Sequence, residues 1–121
     1  MTSETFTPDN LVAGDYPIVT DTVTIAEGQN LKRGAVLGRI TVGGKCVAVG
    51  SYVGEGTDGS EDPVCILAQD CDATDADVEN VPVYLSGEFA ESSLSFGGTD
   101  DADDHREALR DLNIYIKKTA V

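Results

Sequence analysis

Residues 69–80, "QDCDATDADVEN", place four aspartates, one glutamate and one cysteine in twelve positions. Carboxylates at this density are the ligands that a calcium loop requires. With Asp70 at position one of an EF-hand loop, Asp75 replaces the glycine of position six and Val81 replaces the closing glutamate. A loop that starts at Asp75 fails at the same closing ligand, where Ser86 stands. The sequence therefore predicts a solvated loop and no metal site.

The cysteines and the single histidine form no other recognisable site. Cys65 and Cys71 are separated by five residues and Cys46 is remote, so the chain has no C-x₂₋₄-C zinc pair. We expect all three cysteines to be reduced and buried as small hydrophobic side chains. A Ser-His or Cys-His catalytic system would depend on His105, which we interpret as a partly exposed residue near a helix start. Walker, G-x-G-x-x-G and G-x-S-x-G motifs are absent, so no enzyme activity and no cofactor are expected.

The charge of the chain excludes several kinds of partner. It has 22 acidic and 8 basic residues, a formal charge of −14, with acids concentrated in residues 58–79 and 100–111. Nucleic acids and anionic lipids bind clustered Lys and Arg, so we expect neither nucleic acid nor membrane as a partner. No apolar run approaches the ~20 residues needed to span a bilayer. The first ten residues lack the pattern of a secretory signal, so we expect synthesis in a cytoplasm.

The hydrophobic pattern predicts an extended arm followed by one mainly β domain. Residues 1–15 follow no period of 2 or 3.6, and we expect them to be poorly ordered in the free protein. Residues 16–25 alternate as a half-buried strand does. Glycines then separate short β-branched runs, which is typical of hairpins, with Gly43-Gly44 as a two-residue turn.

The second half of the chain predicts two further strands. Residues 64–70, "VCILAQD", indicate a fully buried strand. Residues 81–89, "VPVYLSGEF", alternate in hydrophobicity, and Pro82 places this strand at an edge or at its own beginning.

Residues 100–112 predict the single helix, followed by a last strand. Asp101 and Asp104 have the spacing of a capping box, and Asn113 suits the left-handed position that ends a helix. The predicted apolar stripe consists of Ala102, His105, Ala108, Leu109 and Leu112.

One segment supports an alternative class of protein, a carrier domain. "GQNLKRGAVLG", residues 28–38, has the turn spacing of biotinyl- and lipoyl-carrier domains, which carry an acceptor lysine in a hairpin. Lys45 stands in "GGKCV", which lacks the acceptor context. A carrier-type or small-ligand-binding β-barrel is therefore the second hypothesis, and a weak calcium-binding structural module is the third.

Longer stretches resemble the lambda-type head decoration proteins of tailed bacteriophages. "ETFT", residues 4–7, is similar to the N-terminus of that family, and residues 7–38 resemble the N-terminal half of its longer members. "DGSEDPVCILAQDCDAT", "VPVYLSGEF" and "REALRDLNIYIKK" match the second half in order and spacing. The resemblance covers nearly the whole chain, although the run "GGTDDADDH" is more acidic than is typical of the family.

The resemblance implies a β-rich fold, a small tulip-like β-barrel with hairpins, one short C-terminal helix and an extended N-terminal arm. Residues 1–15 would form a flexible capsid-binding arm and residues 16–121 a single decoration domain. The protein would bind the major capsid protein as a homotrimer, at threefold positions on the outside of the expanded virion head, and stabilise the head against internal DNA pressure. The predicted capsid-binding residues are Glu4, Thr5, Phe6, Thr7, Pro8, Asn10, Leu11 and Val12.

The physical properties of the arm indicate how it would bind. Ordering ~15 residues costs roughly 1–2 kcal/mol each in backbone entropy. Full burial of Phe6, Leu11 and Val12 would return about 1.5–3 kcal/mol apiece. Side-chain burial alone is therefore insufficient, and we expect the arm to add as a strand to an exposed sheet edge of the shell.

Overall fold

The computed structural model describes residues 11–12, 17–49, 59–60, 62–97 and 100–117. Strands predominate in these ranges, which confirms the prediction of a mainly β fold. The strands are β1 (Val19–Ile25), β2 (Gln29–Leu31), β3 (Val36–Arg39), β4 (Cys46–Ala48), β5 (Pro63–Leu67), β6 (Cys71–Ala73), β7 (Val78–Ala90) and β8 (Ile114–Lys117). Within the same ranges, one α-helix, α1 (Ala102–Asp111), and a 3₁₀ turn, Glu91–Ser93, complete the fold.

Five strands close into a barrel in the order β1-β4-β3-β5-β7, with β7 returning to β1. Strand β7 organises the barrel because it is long enough to pair with β1, β5 and β8 at different points along its length. Strand β8 extends the sheet beyond the barrel, in parallel register from Gly87↔Ile114 to Ala90↔Lys117. Strands β2 and β6 form a separate antiparallel pair.

The alternation of side chains along the barrel strands creates two hydrophobic clusters. Leu37 and Val83 point into one cluster, while their neighbours Val36 and Tyr84 belong to the other. The first, which we call the barrel core, consists of Ile25, Ala35, Leu37, Cys46, Cys65, Leu67, Cys71, Ala73, Val81 and Val83. The second, the outer core, consists of Leu11, Val36, Val49, Ile66, Phe89, Leu109 and Ile114.

The predicted β3–β4 hairpin is confirmed, but its loop is longer than predicted. The amide of Gly44 donates to the carbonyl of Ile40 at 3.0 Å, and the amide of Ile40 donates to Lys45 at 2.8 Å. The loop therefore contains residues 41–44. Gly43 and Gly44 have φ values of 95° and 76°, the left-handed backbone that glycine adopts without steric cost.

The prediction that Pro82 marks an edge or a strand start is wrong. Pro82 lies inside β7, opposite Thr22 of β1, and its carbonyl accepts from the amide of Ala68 at 3.0 Å. Because proline has no N–H, the reciprocal bond to Ala68 cannot form. Pairing between β5 and β7 ends at this position, so the proline ends one ladder of a central strand.

The helix begins and ends where the sequence predicts. The capping box of Asp101 and Asp104 is present, and Asn113 has a φ of 66°. Ala102, His105 and Leu109 of the predicted stripe are buried, which attaches the helix to the outer core. Ala108 and Leu112 are exposed, contrary to the prediction, so the stripe that packs is narrower than the sequence indicated.

Candidate functional site

The root of the predicted arm is packed on the body of the protein. Leu11 is 1% exposed within the outer core, and its carbonyl accepts from the amide of Ala90 at 2.8 Å. Val12 pairs antiparallel with Phe89, on the side of β7 where β1 also pairs. By its packing, Leu11 is therefore an anchor on the domain.

The other predicted capsid-binding residues lie outside the described residues: Glu4, Thr5, Phe6, Thr7, Pro8 and Asn10. The structure therefore locates two of the eight, Leu11 and Val12. The division of the chain at residue 15, and the capsid-binding role of the eight residues, stay predictions.

Gly34 permits the close packing of the arm root. Its φ is 99°, and a Cβ at this position would lie 2.2 Å from the carbonyl oxygen of Ser93 and 3.5 Å from a methyl of Leu11. Contact at 2.2 Å with backbone cannot be relieved by a rotamer change. Glycine is therefore required where Leu11 and the 3₁₀ turn meet the barrel.

Three exposed apolar side chains lie at the arm root and at the start of β1, whose neighbour is β7. Val12, Ile18 and Val19 are 36%, 42% and 52% exposed, and we call them the apolar strip. The amide of Val19 donates to the Ser86 hydroxyl at 3.2 Å, and that hydroxyl donates to the carbonyl of Pro17 at 2.9 Å. These bonds hold the strip against β7. Sequence analysis missed Ile18 and Val19; two adjacent exposed β-branched residues at a strand start were the available signal.

The acidic segment before the helix is structured by its own carboxylates. The side chain of Asp101 accepts from the amides of Asp103 and Asp104 at 3.1 Å and 3.3 Å. The Asp104 carboxylate accepts from the Asp101 amide at 3.0 Å, which completes the capping box. These bonds satisfy amides that the first helical turn leaves unpaired. The local role of these acids is to begin the helix.

His105 is buried, although its position near the helix start predicted partial exposure. Its Nε2 lies 2.7 Å from Oδ2 of Asp100, and its ring stacks on Phe96 with centroids 5.8 Å apart. Helical spacing places it on the buried stripe, beside Leu109. The imidazole thus joins the helix to the preceding segment.

Arg106 fastens the helix on its other side. Its guanidinium donates to Glu91 at 2.7 Å and to Asp103 at 3.1 Å, and these hydrogen bonds raise the pKa of Arg106. Glu91 begins the 3₁₀ turn that follows β7. The pair therefore connects α1 to the end of the longest strand.

The acidic loop of residues 69–80 contains β6 and is held at several points. Asp70 accepts from the amide of Arg33 at 2.9 Å, and Asp77 accepts from the amide of Glu27 at 2.7 Å. Hydrogen bonds from Thr74 lower the pKa of Asp72. Within the ranges that the structure describes, no group of three or more His, Cys, Asp or Glu is placed to hold a metal ion. The carboxylates act as local hydrogen-bond acceptors for the loop.

Lys45, the residue on which a carrier function would depend, is engaged by this loop. Its Nζ lies 2.6 Å from the Asp77 carboxylate, which raises the pKa of Lys45. The amino group on which acylation would depend is therefore engaged in an ion pair with the acidic loop.

Basic residues elsewhere are also paired with acids of the same chain. The pairs are Lys32–Asp70 at 3.9 Å, Arg110–Glu107 at 3.5 Å and Lys117–Glu88 at 3.9 Å. Because the chain has 22 acidic and 8 basic residues, the excess acids dominate the long-range field. No helix among the described residues is long and apolar enough to cross a bilayer.

The three cysteines are free and buried, as the sequence predicted. A hydrogen bond with Cys46, together with burial, raises the pKa of the Cys65 thiol. Burial also raises the pKa of Cys71. A protonated thiol is a poor nucleophile, which argues against reactivity at Cys65 and Cys71. The hydrogen bond with Cys65 lowers the pKa of Cys46, whose side chain is fully buried. All three side chains pack in the barrel core.

The described residues thus form a small closed β-barrel with a helix packed on its outer core and an N-terminal root anchored on β7. The family model described as bacteriophage lambda head decoration protein D matches residues 1–115, and the chain belongs to this family. A search of curated proteins found no match. Membership places the protein on the outer capsid surface of the virion.

Proposed function

We propose that the protein binds the major capsid protein as a homotrimer at threefold positions of the expanded head and stabilises the head against internal DNA pressure. Membership of the decoration family supports binding to the capsid. The anchored root at Leu11 and Val12 is the observation that carries the proposed attachment. In this proposal, residues 1–10 would extend from this root toward the shell.

The anchored root reduces the cost of ordering the arm. Leu11 is already packed. If residues 1–10 are unordered in the free protein, as the sequence predicts, binding has to order about ten residues, at roughly 10–20 kcal/mol in backbone entropy. Burial of Phe6 on the shell would return about 1.5–3 kcal/mol. The remaining free energy has to come from main-chain hydrogen bonds, as in strand addition to a sheet edge of the shell.

Three arms on one trimer would make attachment effectively cooperative. Once one arm is bound, a flexible connection of this length holds the next arm at an effective concentration on the order of mM. A weak individual arm then produces strong overall binding, without any deep pocket on the barrel. The trimer also connects neighbouring capsid subunits through its three attachment points.

Stabilisation of the head follows from linkage. A ligand that binds the closed, expanded shell and not its opened form stabilises the closed form by about 2.7 kcal/mol per site at 100 times its Kd. Many threefold positions share this effect, so the shell as a whole withstands more internal pressure. Such a role requires rigid attachment and no reaction, and we propose that the protein has no catalytic activity.

The test uses expanded heads that lack the decoration protein. Heads with and without added protein are heated, and DNA release is followed with an intercalating dye. At saturation, we expect three copies of the protein to co-sediment per threefold position. We also expect the bound protein to raise the temperature of DNA release. Saturating binding without any shift in that temperature would contradict the stabilising role. Binding of single copies would contradict the trimer.

A further inference from the structure

The register of β1 against β7 determines where the backbone groups of β1 point. The carbonyl of Pro82 accepts from Ala68, on the β5 side, so the backbone groups of Pro82 face away from β1. Peptide groups alternate in direction along a strand. Val81 and Val83 therefore face β1, and their partners Val23 and Asp21 supply the hydrogen bonds between the two strands.

Thr20 and Thr22 consequently direct their N–H and C=O groups away from β7. The amide of Thr22 confirms this direction, because it donates to the side chain of Asp21 at 2.8 Å. The other neighbour of β1 in the barrel is β4, which begins at Cys46 and meets β1 at Ile25. In the described part of the chain, no strand pairs with β1 beside Thr20 or Thr22.

An open β-edge of this kind is a template for another extended segment. Val19, Thr20, Asp21 and Thr22 are all exposed, so nothing in the described residues covers either face of this half of the strand. The edge also lies next to the apolar strip of Val12, Ile18 and Val19. A segment pairing here would gain both main-chain hydrogen bonds and apolar contact.

We propose that the open edge of β1 at Thr20 and Thr22, with the apolar strip beside it, accepts an extended segment of the capsid shell protein. This inference rests on the proposed function and adds a second contact to it. The arm reaches from the protein to the shell, and the β1 edge receives a segment from the shell.

The position of the arm root favours the shell protein over a second copy of this chain. The predicted arm leaves the body at Leu11 and Val12, beside the same stretch of β7 as the apolar strip, so an arm bound to the shell brings this edge to the shell surface.

The test is hydrogen exchange of single amides, measured by quench, dissociation and mass spectrometry with electron-transfer fragmentation. Full-length protein is compared free at low concentration, free at high concentration and bound to expanded heads. On heads, we expect the amides of Thr20 and Thr22 to exchange at least about tenfold more slowly, as paired ladder amides do. The amides of Asp21 and Val23 serve as internal controls, because β7 already protects them.

A matched pair of variants provides the second readout. Val19→Lys places a charge in the apolar strip, whereas Val42→Lys makes the same change at the hairpin tip, where valine is 87% exposed. We expect Val19→Lys to weaken binding to heads about tenfold, from lost apolar burial, and Val42→Lys to leave it unchanged. Equal effects of the two variants would contradict a contact at the strip.

The outcomes separate this inference from the proposed function. Normal binding to heads with unchanged exchange at Thr20 and Thr22 overturns the edge contact and leaves the decoration role intact. Slowed exchange at both residues in the concentrated free protein also overturns it, because the occupant is then a second copy. Absence of any binding to heads overturns the proposed function and the inference together.

Discussion

The barrel core and the outer core differ in which parts of the chain build them. The barrel core is assembled from residues between Ile25 and Val83, which are all strand or strand-connecting segments. The outer core joins Leu11 near one end of the chain to Leu109 and Ile114 near the other, over Phe89 of β7. The barrel core is therefore self-contained, whereas the outer core couples the arm root to the helix. The proposed attachment to the shell depends mainly on the second.

The largest expected effect on stability comes from Phe89→Ala, which tests whether the two cores are distinct. Phe89→Ala removes a fully buried ring and should lower the free energy of unfolding by about 3–5 kcal/mol. Leu37→Ala, the matched change in the barrel core, should cost about 2–5 kcal/mol. Urea unfolding measures both. The amide of Ala90 donates to the carbonyl of Leu11, so its hydrogen exchange reports on the outer core. In Phe89→Ala, this exchange should accelerate by more than the loss in free energy of unfolding explains, whereas in Leu37→Ala it should not. If the acceleration matches the loss of global stability in both variants, the two cores are not distinct units.

Leu11→Ala tests whether the arm root belongs to the outer core. The side chain is almost fully buried, so we expect a loss of about 2–4 kcal/mol in urea unfolding. Val12→Ala, at the neighbouring and partly exposed position, should cost less than about 1 kcal/mol. Equal small effects at both positions would show that the domain begins after Leu11.

The helix cap is expected to have a smaller effect. Asp101→Ala removes both amide contacts of the capping box and should cost about 1 kcal/mol in thermal or urea unfolding. Asp111→Ala removes an equal charge from the last turn, where an acid opposes the helix dipole, and should change stability by less than about 0.5 kcal/mol. If Asp101→Ala leaves the stability unchanged, the cap contributes nothing to the stability of the outer core.

The smallest expected effect is a pH dependence at the acidic loop. Hydrogen bonds from Lys45 and from the Glu27 amide lower the pKa of Asp77 below 3.8 in the folded protein. The stabilisation from Asp77 is therefore present above the ordinary carboxyl pKa and is lost as the pH falls through the folded value.

In melting curves between about pH 6 and pH 3, Asp77→Asn should be less stable than the parent at the higher pH, and the difference should shrink as the pH falls below the ordinary carboxyl pKa. Asp75→Asn, an exposed change in the same loop without these bonds, is the control. A constant difference across the range would contradict the ion-pair contribution.

Local sequence features predicted local structure well. The capping box, the left-handed Asn113 and the strand predicted at residues 64–70 follow from side-chain chemistry within a few positions, and the structure confirms them. The strand ends at Leu67, however, and Gln69 and Asp70 are exposed rather than buried. The prediction for Pro82 was wrong because the sequence shows only that residue 82 has no N–H to donate. It does not show which of the two neighbouring strands would have accepted that hydrogen bond. The pairing that ends at Pro82 is the one with β5, and the pairing with β1 continues past it.

The burial of Leu11 and His105 required tertiary information. An isolated leucine in an aperiodic segment has no local signal, and its site is formed by Gly34, Phe89 and the helix together. The open edge of β1 was hidden for the same reason. Alternation shows that a segment is a strand, whereas strand order decides which of its edges is paired.

Truncation of residues 1–10 tests the central claim most directly. The cut retains Leu11 and Val12, so the outer core stays complete, and the variant should unfold at nearly the same urea concentration as the full chain. Binding to expanded heads is then measured by co-sedimentation. We predict that the truncated protein is folded and fails to co-sediment. Binding as tight as that of the full chain would contradict attachment through the arm.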